Sequence, residues 1–365
     1  MRRRELLLSG LGAGTAAAAT SIASPALAQS MPEVKWRLTS SFPKSLDTIF
    51  GTAQIFTKYV ADATDGRFQI QPFAAGEIVP GLQALDAVSS GALECCHTPT
   101  YFYSGKDPTL GFGTGMPFGP NARLQHAWWH NGGGEGIVNE ALAKFNVIAF
   151  AAGNSGTQMG GWFRKEINTL DDLKGLKFRI GGTGGQILAR LGVVPQQIAP
   201  GDIYPALEKG TIDAIEFVGP YDDEKLGFNK VAKYYYYPGF WEGGAMLHLC
   251  INTEQWNRLP KHYQSVVRLA SEAANNWMLA KYDTVNAPAL KRLVAKGTEL
   301  RPFSQPIIDA AFDAAKSYYA EIAAQNALFK KGLDSVNEFL GEQYLWWQIG
   351  EYSYDSTMIR TRIRS

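Results

Sequence analysis

A weak internal repeat is the sequence feature that most constrains the fold of this chain. Residues 85–94 align without gaps on residues 204–213, far apart in the sequence. In both segments a short helical pattern stops at a glycine, Gly91 or Gly210, which can take the left-handed conformation that ends a helix. A strand pattern then starts near an acidic residue. Two similar units favour two lobes of similar construction, although the alternative that any two helix-to-strand connections look alike stays open.

A β-α-β pattern follows the N-terminal segment. Apolar residues alternate with polar ones from Val34 to Leu38, as in a strand, and Asp47 opens a helical pattern that continues to Val60. A second strand is predicted over residues 68–73. Strands that alternate with helices predict an α/β fold, and 365 residues suffice for two domains. Ligands of open α/β sheets bind at the carboxyl ends of the strands, so facing lobes predict a cleft there.

The N-terminal segment has the pattern of an export signal. Arg2-Arg3-Arg4 precedes an apolar stretch rich in glycine and alanine, which ends in small residues at Ala28. This pattern predicts that residues 1–28 are a cleaved signal and that the protein is periplasmic. The paired arginines favour the twin-arginine export route, with the Sec route and a retained membrane anchor as alternatives.

Charge and motifs weigh against several functional classes. The sequence has 35 Lys and Arg against 34 Asp and Glu, a net charge of +1, whereas a nucleic-acid-binding protein is usually more basic. The sequence contains no Gly-x-Ser-x-Gly, His-Glu-x-x-His, phosphate-loop or Cys-x-x-Cys signature. A binding protein is therefore favoured over the alternative, an exported metal-assisted enzyme for small carboxylic acids. Cys95, Cys96 and Cys250 are predicted to be buried structural residues, because adjacent cysteines pair with each other only under strain.

The C-terminal region, residues 306–365, is unusually apolar for a chain end. A helix is predicted from Ile307 to Phe329, and the final stretch contains Trp346 and Tyr352 among other large apolar residues. Such residues need a surface to cover, unlike those of a frayed terminus. The region either docks on the chain's own lobes or is exchanged with a second subunit in a homodimer.

A family resemblance is carried by the run LDDLKGLKFRI, residues 170–180. It resembles the Asp-Leu-Lys-Gly-Leu-Lys-x-Arg segment of DctP-family substrate-binding proteins, which serve tripartite ATP-independent periplasmic (TRAP) transporters. In that family the final arginine anchors the substrate carboxylate, and the resemblance gives this role to Arg179. A guanidinium suits the role, because its parallel N–H donors match the two oxygens of a carboxylate. The alternative is an arginine paired with a surface acid.

Further segments resemble the subgroup that binds small 2-oxo or 2-hydroxy acids together with a metal ion: residues 156–162, 213–220 and 238–244. The resemblance implies that Gln158 contacts both metal and substrate, and that the other metal ligands are the carboxylates of Glu216 and Glu242 and the backbone carbonyl of Phe217. All are oxygen donors, which hard cations prefer. Charge balance slightly favours Ca²⁺, whereas the resemblance favours Na⁺, so we expect Na⁺ with Ca²⁺ as the second choice.

One further candidate comes from the run Tyr101-Phe102-Tyr103, which follows the strand predicted after Gly91. The first of the two predicted lobes should face the cleft at this point. Tyr103 is a candidate substrate contact, because its hydroxyl can donate a hydrogen bond while its ring packs on an alkyl group. Aromatic runs also occur in cores, and that alternative stays open.

The resemblance also implies the organisation and the partners of the chain. It implies the two-lobed periplasmic binding protein fold of the TRAP type, α/β with a long C-terminal helical extension. The expected boundaries are lobe I at residues 29–153 with a returning segment at about 243–282, lobe II at 154–242 with a returning segment at about 283–305, and dimer-swapping helices at 306–365. The expected partners are a 2-oxo monocarboxylate such as pyruvate or 2-oxobutyrate, the small and large TRAP membrane subunits for sodium-driven uptake, and a second copy of the chain. No catalytic residue is expected.

Overall fold

The computed structural model describes residues 31–363, so the predicted export signal at residues 1–28 lies outside the described part. Within that part the strands form two sheets. The strands are β1 (Val34–Ser40), β2 (Phe68–Phe73), β3 (Cys95–Thr98), β4 (Val147–Asn154), β5 (Gly161–Phe163), β6 (Lys177–Arg179), β7 (Val194–Gln196), β8 (Ala214–Ile215), β9 (Tyr234–Tyr237), β10 (Met246–Asn252) and β11 (Glu299–Pro302).

Helices cover both sheets and form the C-terminal end of the described chain. The α-helices are α1 (Ile49–Ala63), α2 (Ala84–Ser89), α3 (Gly111–Thr114), α4 (Ala122–Asn131), α5 (Gly134–Ala143), α6 (Gly182–Ala189), α7 (Ile203–Glu208), α8 (Pro220–Leu226), α9 (Thr253–Arg258), α10 (Lys261–Ala295), α11 (Gln305–Gln325), α12 (Ala327–Trp347) and α13 (Ser353–Ile363). A 3-10 turn at Thr100–Tyr103 follows β3, and a π-helical segment at Gln348–Tyr352 joins α12 to α13.

The two sheets divide the chain into two lobes. Lobe I is built on the sheet with strand order β2-β1-β3-β10-β4, and lobe II on the sheet with order β11-β9-β5-β8-β6-β7. In lobe I, β1 is parallel to β2 and β3, whereas β10 is antiparallel to β3 and β4. In lobe II, β6 is parallel to β7 and β8. The α/β, two-lobed fold class predicted from the sequence is therefore the one observed.

The repeated segments have the predicted local structure in both lobes. Helix α2 leads through Gly91 to β3, and α7 leads through Gly210 to β8. Gly91 has a φ of 78° and Gly210 a φ of 74°, values in the left-handed region that glycine adopts without steric cost. The three cysteines are buried and free, as predicted. Burial raises the pKa of the Cys95 and Cys96 thiols, so these thiols are poor nucleophiles.

Helix α10 runs past both lobes. It packs against α1 and β4 in lobe I and against α8 in lobe II. Met278 and Tyr282, near its middle, are fully buried. A single helix therefore contacts both lobes.

The C-terminal region differs from the prediction in where its helices break. The helix predicted from Ile307 to Phe329 is interrupted at Asn326, whose side-chain oxygen accepts the N–H of Phe329 over 2.9 Å and so caps α12. Helix α12 packs on lobe I through Val336 and Leu340. Beyond Leu340 most large apolar side chains are exposed, Leu345 by 71% and Trp346 by 62%, whereas Trp347 is half-buried against the core. The described chain therefore leaves most of this last stretch uncovered. Among residues 31–363 no helix combines the length and apolarity needed to cross a bilayer.

Candidate functional site

Two parallel strands of lobe II, β6 and β8, end side by side. Arg179 is the last residue of β6, and Glu216 and Phe217 directly follow β8. The Glu216 N–H donates to the Arg179 carbonyl oxygen over 2.8 Å, which holds the two strand ends together. Arg179 is 1% exposed and Glu216 is fully buried. An arginine and a carboxylate thus lie where ligands of α/β sheets bind.

Gln158 and Glu242 reach the same region from two loops. Gln158 lies between β4 and β5, Glu242 between β9 and β10, and both side chains are buried. The Gln158 N–H donates to the Glu242 carbonyl oxygen over 3.3 Å. The side-chain nitrogen of Gln158 donates to Ser155 Oγ over 3.0 Å, which leaves its Oε1 without a hydrogen-bond partner. Four of the predicted residues are therefore held in place by neighbouring backbone.

Arg179 is positioned by backbone carbonyls and lines a cavity. Its Nε donates to the Ile198 carbonyl oxygen over 3.2 Å, and its Nη1 donates to the Glu216 carbonyl oxygen over 2.5 Å. The carboxylate of Glu216 lies 3.6 Å from the same Nη1, and the Phe217 ring centroid lies 5.5 Å from the guanidinium carbon. These two hydrogen bonds use two of the five N–H groups of the guanidinium. The remaining three N–H groups are enough for a two-point contact with a carboxylate.

Several buried oxygens without a hydrogen-bond partner belong to residues near this guanidinium. Gln158 Oε1, both carboxylate oxygens of Glu216 and Glu242 Oε2 are buried and accept no hydrogen bond of normal geometry. Buried acceptors without a donor are costly, and buried charges more so. A cation with a preference for oxygen ligands would satisfy all four atoms, so the residues present fit Na⁺ or Ca²⁺. Among residues 31–363 no group of three or more His, Cys, Asp or Glu side chains is placed to hold a metal ion.

Burial raises the pKa of both carboxyl groups, and the charge of Glu242 adds to the rise at Glu216. The pKa of Glu242 rises to about 8, because burial disfavours its charge more than Arg179 and the Tyr101 hydroxyl favour it. The pKa of Glu216 also lies well above its usual range, owing first to burial and then to the charge of Glu242. A nearby cation would reverse both shifts. The positive charge of Arg179 alone therefore does not offset the burial of these two carboxyl groups.

The cavity beside these residues has one polar and one apolar side. Ser155, Gln158 and Arg179 contribute polar atoms. The apolar lining includes Phe42, Ile49, Phe102, Leu247 and Met278, all from lobe I or α10. The volume open to water in this cavity is about 20 Å³, roughly the space of one or two water molecules. In this arrangement the cavity has no room for a molecule much larger than water.

Tyr103 is not at the cavity. Its hydroxyl lies 3.0 Å from Thr98 Oγ1 and accepts the N–H of Leu85 over 3.2 Å, so it joins neighbouring segments within lobe I. Tyr101 lines the cavity instead, two residues earlier in the same run. The 3-10 turn turns the side chains of these two residues in different directions. No local pattern in the sequence distinguishes them, so we replace Tyr103 by Tyr101 as the candidate contact.

Two buried aspartates behind Glu216 were not singled out by the sequence. Asp223 accepts hydrogen bonds from Trp162 Nε1 over 2.9 Å and from the Tyr235 hydroxyl over 2.7 Å. Asp222 accepts a hydrogen bond from the Tyr282 hydroxyl of α10, while its Oδ1 has no partner. Burial is the main cause that raises the pKa of Asp222 to about 7 and that of Asp223 to about 6. The first turn of α8 is thus fixed by buried carboxyl groups next to the site.

The raised pKa of Asp222 predicts a pH-dependent stability. In the unfolded chain an aspartate has a pKa of about 4, so the folded protein holds an extra proton between that pH and about 7. This contribution to stability is complete below pH 4 and is lost as the pH rises through 7. We expect Asp222→Asn, which keeps an acceptor for Tyr282 but cannot ionise, to gain roughly 2 to 5 °C in melting temperature relative to the wild type between pH 5 and pH 8.

Thermal unfolding of both proteins across this pH range measures the effect. Other buried carboxyl groups titrate in the same range, and the difference between the two proteins isolates Asp222. The control is Asp202→Asn, at an exposed aspartate of lobe II, which should follow the wild type at every pH. A constant difference in melting temperature between Asp222→Asn and the wild type from pH 5 to 8 would contradict the prediction.

Comparisons with known proteins agree on the family. Residues 39–326 match the family model of bacterial extracellular solute-binding protein, family 7 (DctP). A monocarboxylate 2-oxoacid-binding periplasmic protein from Nostoc sp. PCC 7120 is 49% identical over 362 residues, 98% of each chain. A TRAP transporter solute-binding protein from Bordetella bronchiseptica, described as a mixed-occupancy dimer with calcium and picolinate, is 47% identical with a TM-score of 0.90 and covers 91% of this chain and 99% of its own. One from Pseudoalteromonas atlantica with bound sodium and pyruvate is 35% identical with a TM-score of 0.86 and covers 89% of this chain and 99% of its own. The chain therefore belongs to the DctP family of TRAP transporter solute-binding proteins.

Proposed function

We propose that this protein captures small 2-oxo monocarboxylates, such as pyruvate and 2-oxobutyrate, in the periplasm for sodium-driven uptake by the small and large TRAP membrane subunits. The name of the Nostoc relative and the pyruvate bound to the Pseudoalteromonas relative support the substrate class. The observation that carries the proposal is the buried guanidinium of Arg179 beside four buried oxygens that have no hydrogen-bond partner. That arrangement suits an anion and a cation bound together.

Each residue of the site has a distinct task in this proposal. Arg179 binds the carboxylate of the acid through the N–H groups that do not donate to backbone carbonyls. Gln158, Glu216, Glu242 and the carbonyl of Phe217 hold Na⁺ or Ca²⁺, the ions named for the two structural relatives. When bound, the cation neutralises the carboxylates and attracts the carboxylate and 2-oxo oxygens of the substrate. The apolar lining of lobe I receives the alkyl end.

The protein is a receptor and not an enzyme, as its family and the name of its Nostoc relative indicate. The function is tested by calorimetric titration of pyruvate and 2-oxobutyrate into the purified protein with Na⁺ or Ca²⁺ present. We expect saturable binding of one acid per chain and an unchanged acid at the end of the titration. Absence of binding to every 2-oxo acid tried would overturn the proposal, and appearance of a product would favour a metal-assisted enzyme.

We also propose the lobe boundaries expected from the sequence, with export by the twin-arginine route. The chain returns to lobe I through β10 and to lobe II through β11, which supports returning segments near residues 243–282 and 283–305. A folded protein with a preassembled site is compatible with twin-arginine export. A fusion of residues 1–28 to a reporter, assayed in cells that lack the twin-arginine machinery, tests the route; continued export there would contradict it.

We propose that the exposed C-terminal stretch pairs with a second copy of the chain. Leu345, Trp346, Ile349 and Tyr352 are each more than half exposed, and a contiguous apolar patch of this kind usually marks an interface. The Bordetella relative is described as a dimer. A homodimer would cover the patch without any change within the lobes.

This proposal predicts a change of oligomeric state. We expect the wild type to have twice the monomer mass in solution, and Trp346→Glu with Ile349→Glu to be monomeric, because a charge at each position would have to be buried in the interface. Size-exclusion chromatography with light scattering measures the mass. Leu269→Glu, at a residue of α10 that is 70% exposed, is the matched control and should remain dimeric. A monomeric wild type would show that the patch does not serve this purpose.

A further inference from the structure

Two glycines of lobe II leave space for an aromatic ring of lobe I. A Cβ atom on Gly181 would lie 2.8 Å from Cε2 and 2.9 Å from the hydroxyl oxygen of Tyr101. A Cβ atom on Gly182 would lie 1.9 Å from Cδ2 of the same ring. Carbon atoms that are not bonded pack at about 3.5–4.0 Å, so neither position accepts even a methyl group while the ring is there.

The requirement at Gly181 comes from the ring and not from the backbone. Gly181 has φ −81° and ψ 158°, an extended conformation that any residue adopts. Gly182, with a φ of 58°, is in the left-handed region and would favour glycine in any case. Gly181 therefore isolates the steric contribution, because alanine fits its backbone and conflicts only with the side chain of Tyr101.

The contact joins the two lobes at the candidate site. Tyr101 lies in the 3-10 turn after β3, whereas Gly181 and Gly182 come two and three residues after Arg179. The Tyr101 hydroxyl interacts with the carboxylate of Glu242 in lobe II. A second contact between the lobes lies next to it, where Gln197 Nε2 donates to the Phe102 carbonyl oxygen over 3.1 Å. The ring thus fills a seat, formed by Gly181 and Gly182, only when the lobes are together.

We propose that this seat is required for closure of the lobes on the bound acid, so that Gly181 and Gly182 are positioning residues for ligand binding. This inference rests on the proposed function. Neither glycine offers a side chain to a ligand, and they act through Tyr101. When the lobes separate, the Tyr101 ring leaves the seat, and a methyl group at position 181 no longer conflicts with it. Alanine at position 181 therefore penalises the closed, loaded form and spares the open form.

The test is a double-mutant cycle of pyruvate binding by calorimetry, with Na⁺ or Ca²⁺ present, on the wild type, Gly181→Ala, Tyr101→Ala and the double variant. We expect Gly181→Ala to weaken binding at least about tenfold, because an overpacked contact opposes closure. In the Tyr101→Ala background the same change should have less than a twofold effect, since the ring is gone. Gly201→Ala, where a Cβ would meet no atom within 4 Å, is the matched control and should bind like the wild type.

A second measurement follows closure directly. Small-angle X-ray scattering of each protein with and without saturating pyruvate reports the compaction of the lobes. We expect the wild type and Gly201→Ala to become more compact with pyruvate, and Gly181→Ala to become less so. The melting temperature of ligand-free Gly181→Ala should match that of the wild type, because the seat is empty in the open form.

The outcomes separate this inference from the function on which it rests. If the wild type binds no 2-oxo acid, the proposed function fails. If the wild type binds and Gly181→Ala binds within twofold of it, the function stands and the seat is unnecessary. Equal losses in the Tyr101 and Tyr101→Ala backgrounds would show that the effect does not pass through the ring. A Gly181→Ala protein that folds only when Tyr101 is also replaced would show that the conflict exists without ligand, which likewise overturns the inference.

Discussion

Replacing Arg179 with lysine should lower the affinity for pyruvate by at least about 100-fold, the loss expected when a two-point charged contact becomes a single one. The guanidinium is held by the carbonyl oxygens of Ile198 and Glu216 and keeps three further N–H groups. Lysine retains the positive charge beside Glu216. It cannot make both backbone contacts and also donate two hydrogen bonds to a carboxylate. Calorimetric titration with the same cation present measures the difference.

Lysine is the informative replacement because it separates geometry from charge. Alanine would leave the buried carboxylate of Glu216 without its nearest positive charge and would also damage the fold. Arg190→Lys is the control: this arginine lies on the surface of lobe II and pairs with Glu321 over 2.5 Å. It should bind pyruvate like the wild type. If Arg179→Lys binds within a few-fold of the wild type, the guanidinium is not the carboxylate anchor.

Arg179 and Glu216 were singled out by the family resemblance, and only their places at strand ends follow from local sequence. The run that ends in Arg179 contains a turn and a strand in consecutive residues, and Glu216 follows the strand of the repeated segment. Parallel strands bring their carboxyl ends together whatever the remaining sequence does. The same holds for Gly91 and Gly210, where a left-handed residue is needed to pass from helix to strand.

Other features depend on contacts between distant segments and could not be predicted. Tyr101 and Tyr103 stand in one aromatic run, and only the direction of a 3-10 turn puts the first at the cavity and the second against Leu85. Asp222 looks like an ordinary acidic residue at a helix start, yet Tyr282 of α10 covers it. The break at Asn326 is made by its side chain, which caps α12, and the apolar pattern used to predict one helix passes over this residue.

The site has an excess of negative charge that a bound cation would offset. Arg179 carries one positive charge, whereas Glu216 and Glu242 carry two negative charges when ionised, and a 2-oxo monocarboxylate adds a third. Burial of the two glutamates raises their pKa, so protonation also lowers the negative charge of the site when no cation is bound. A divalent cation would make the loaded site neutral, and a monovalent one would leave a single negative charge for hydrogen bonds to stabilise.

Removing Na⁺ and Ca²⁺ should therefore lower the affinity for pyruvate by at least about 100-fold, the scale of leaving a buried charge uncompensated. Bound metal ions are removed with a chelator, and the protein is dialysed into potassium buffer and titrated with pyruvate. The titration is then repeated with Na⁺ or with Ca²⁺ restored. Restoration of affinity by either ion is expected, because the ligands are oxygen atoms that suit both. The same affinity with and without these ions would contradict a substrate held through a cation.

Glu216→Gln should abolish most of this cation dependence while it preserves the position of Arg179. The contact that holds the guanidinium is the backbone carbonyl of Glu216, which the substitution leaves in place, whereas the two carboxylate oxygens without hydrogen-bond partners lose their charge. We expect pyruvate binding to be weak in Glu216→Gln and nearly independent of Na⁺ and Ca²⁺. Glu338→Gln, at an exposed glutamate of α12, is the control and should keep the full dependence. If Glu216→Gln responds to the ions as the wild type does, the cation is bound without this carboxylate.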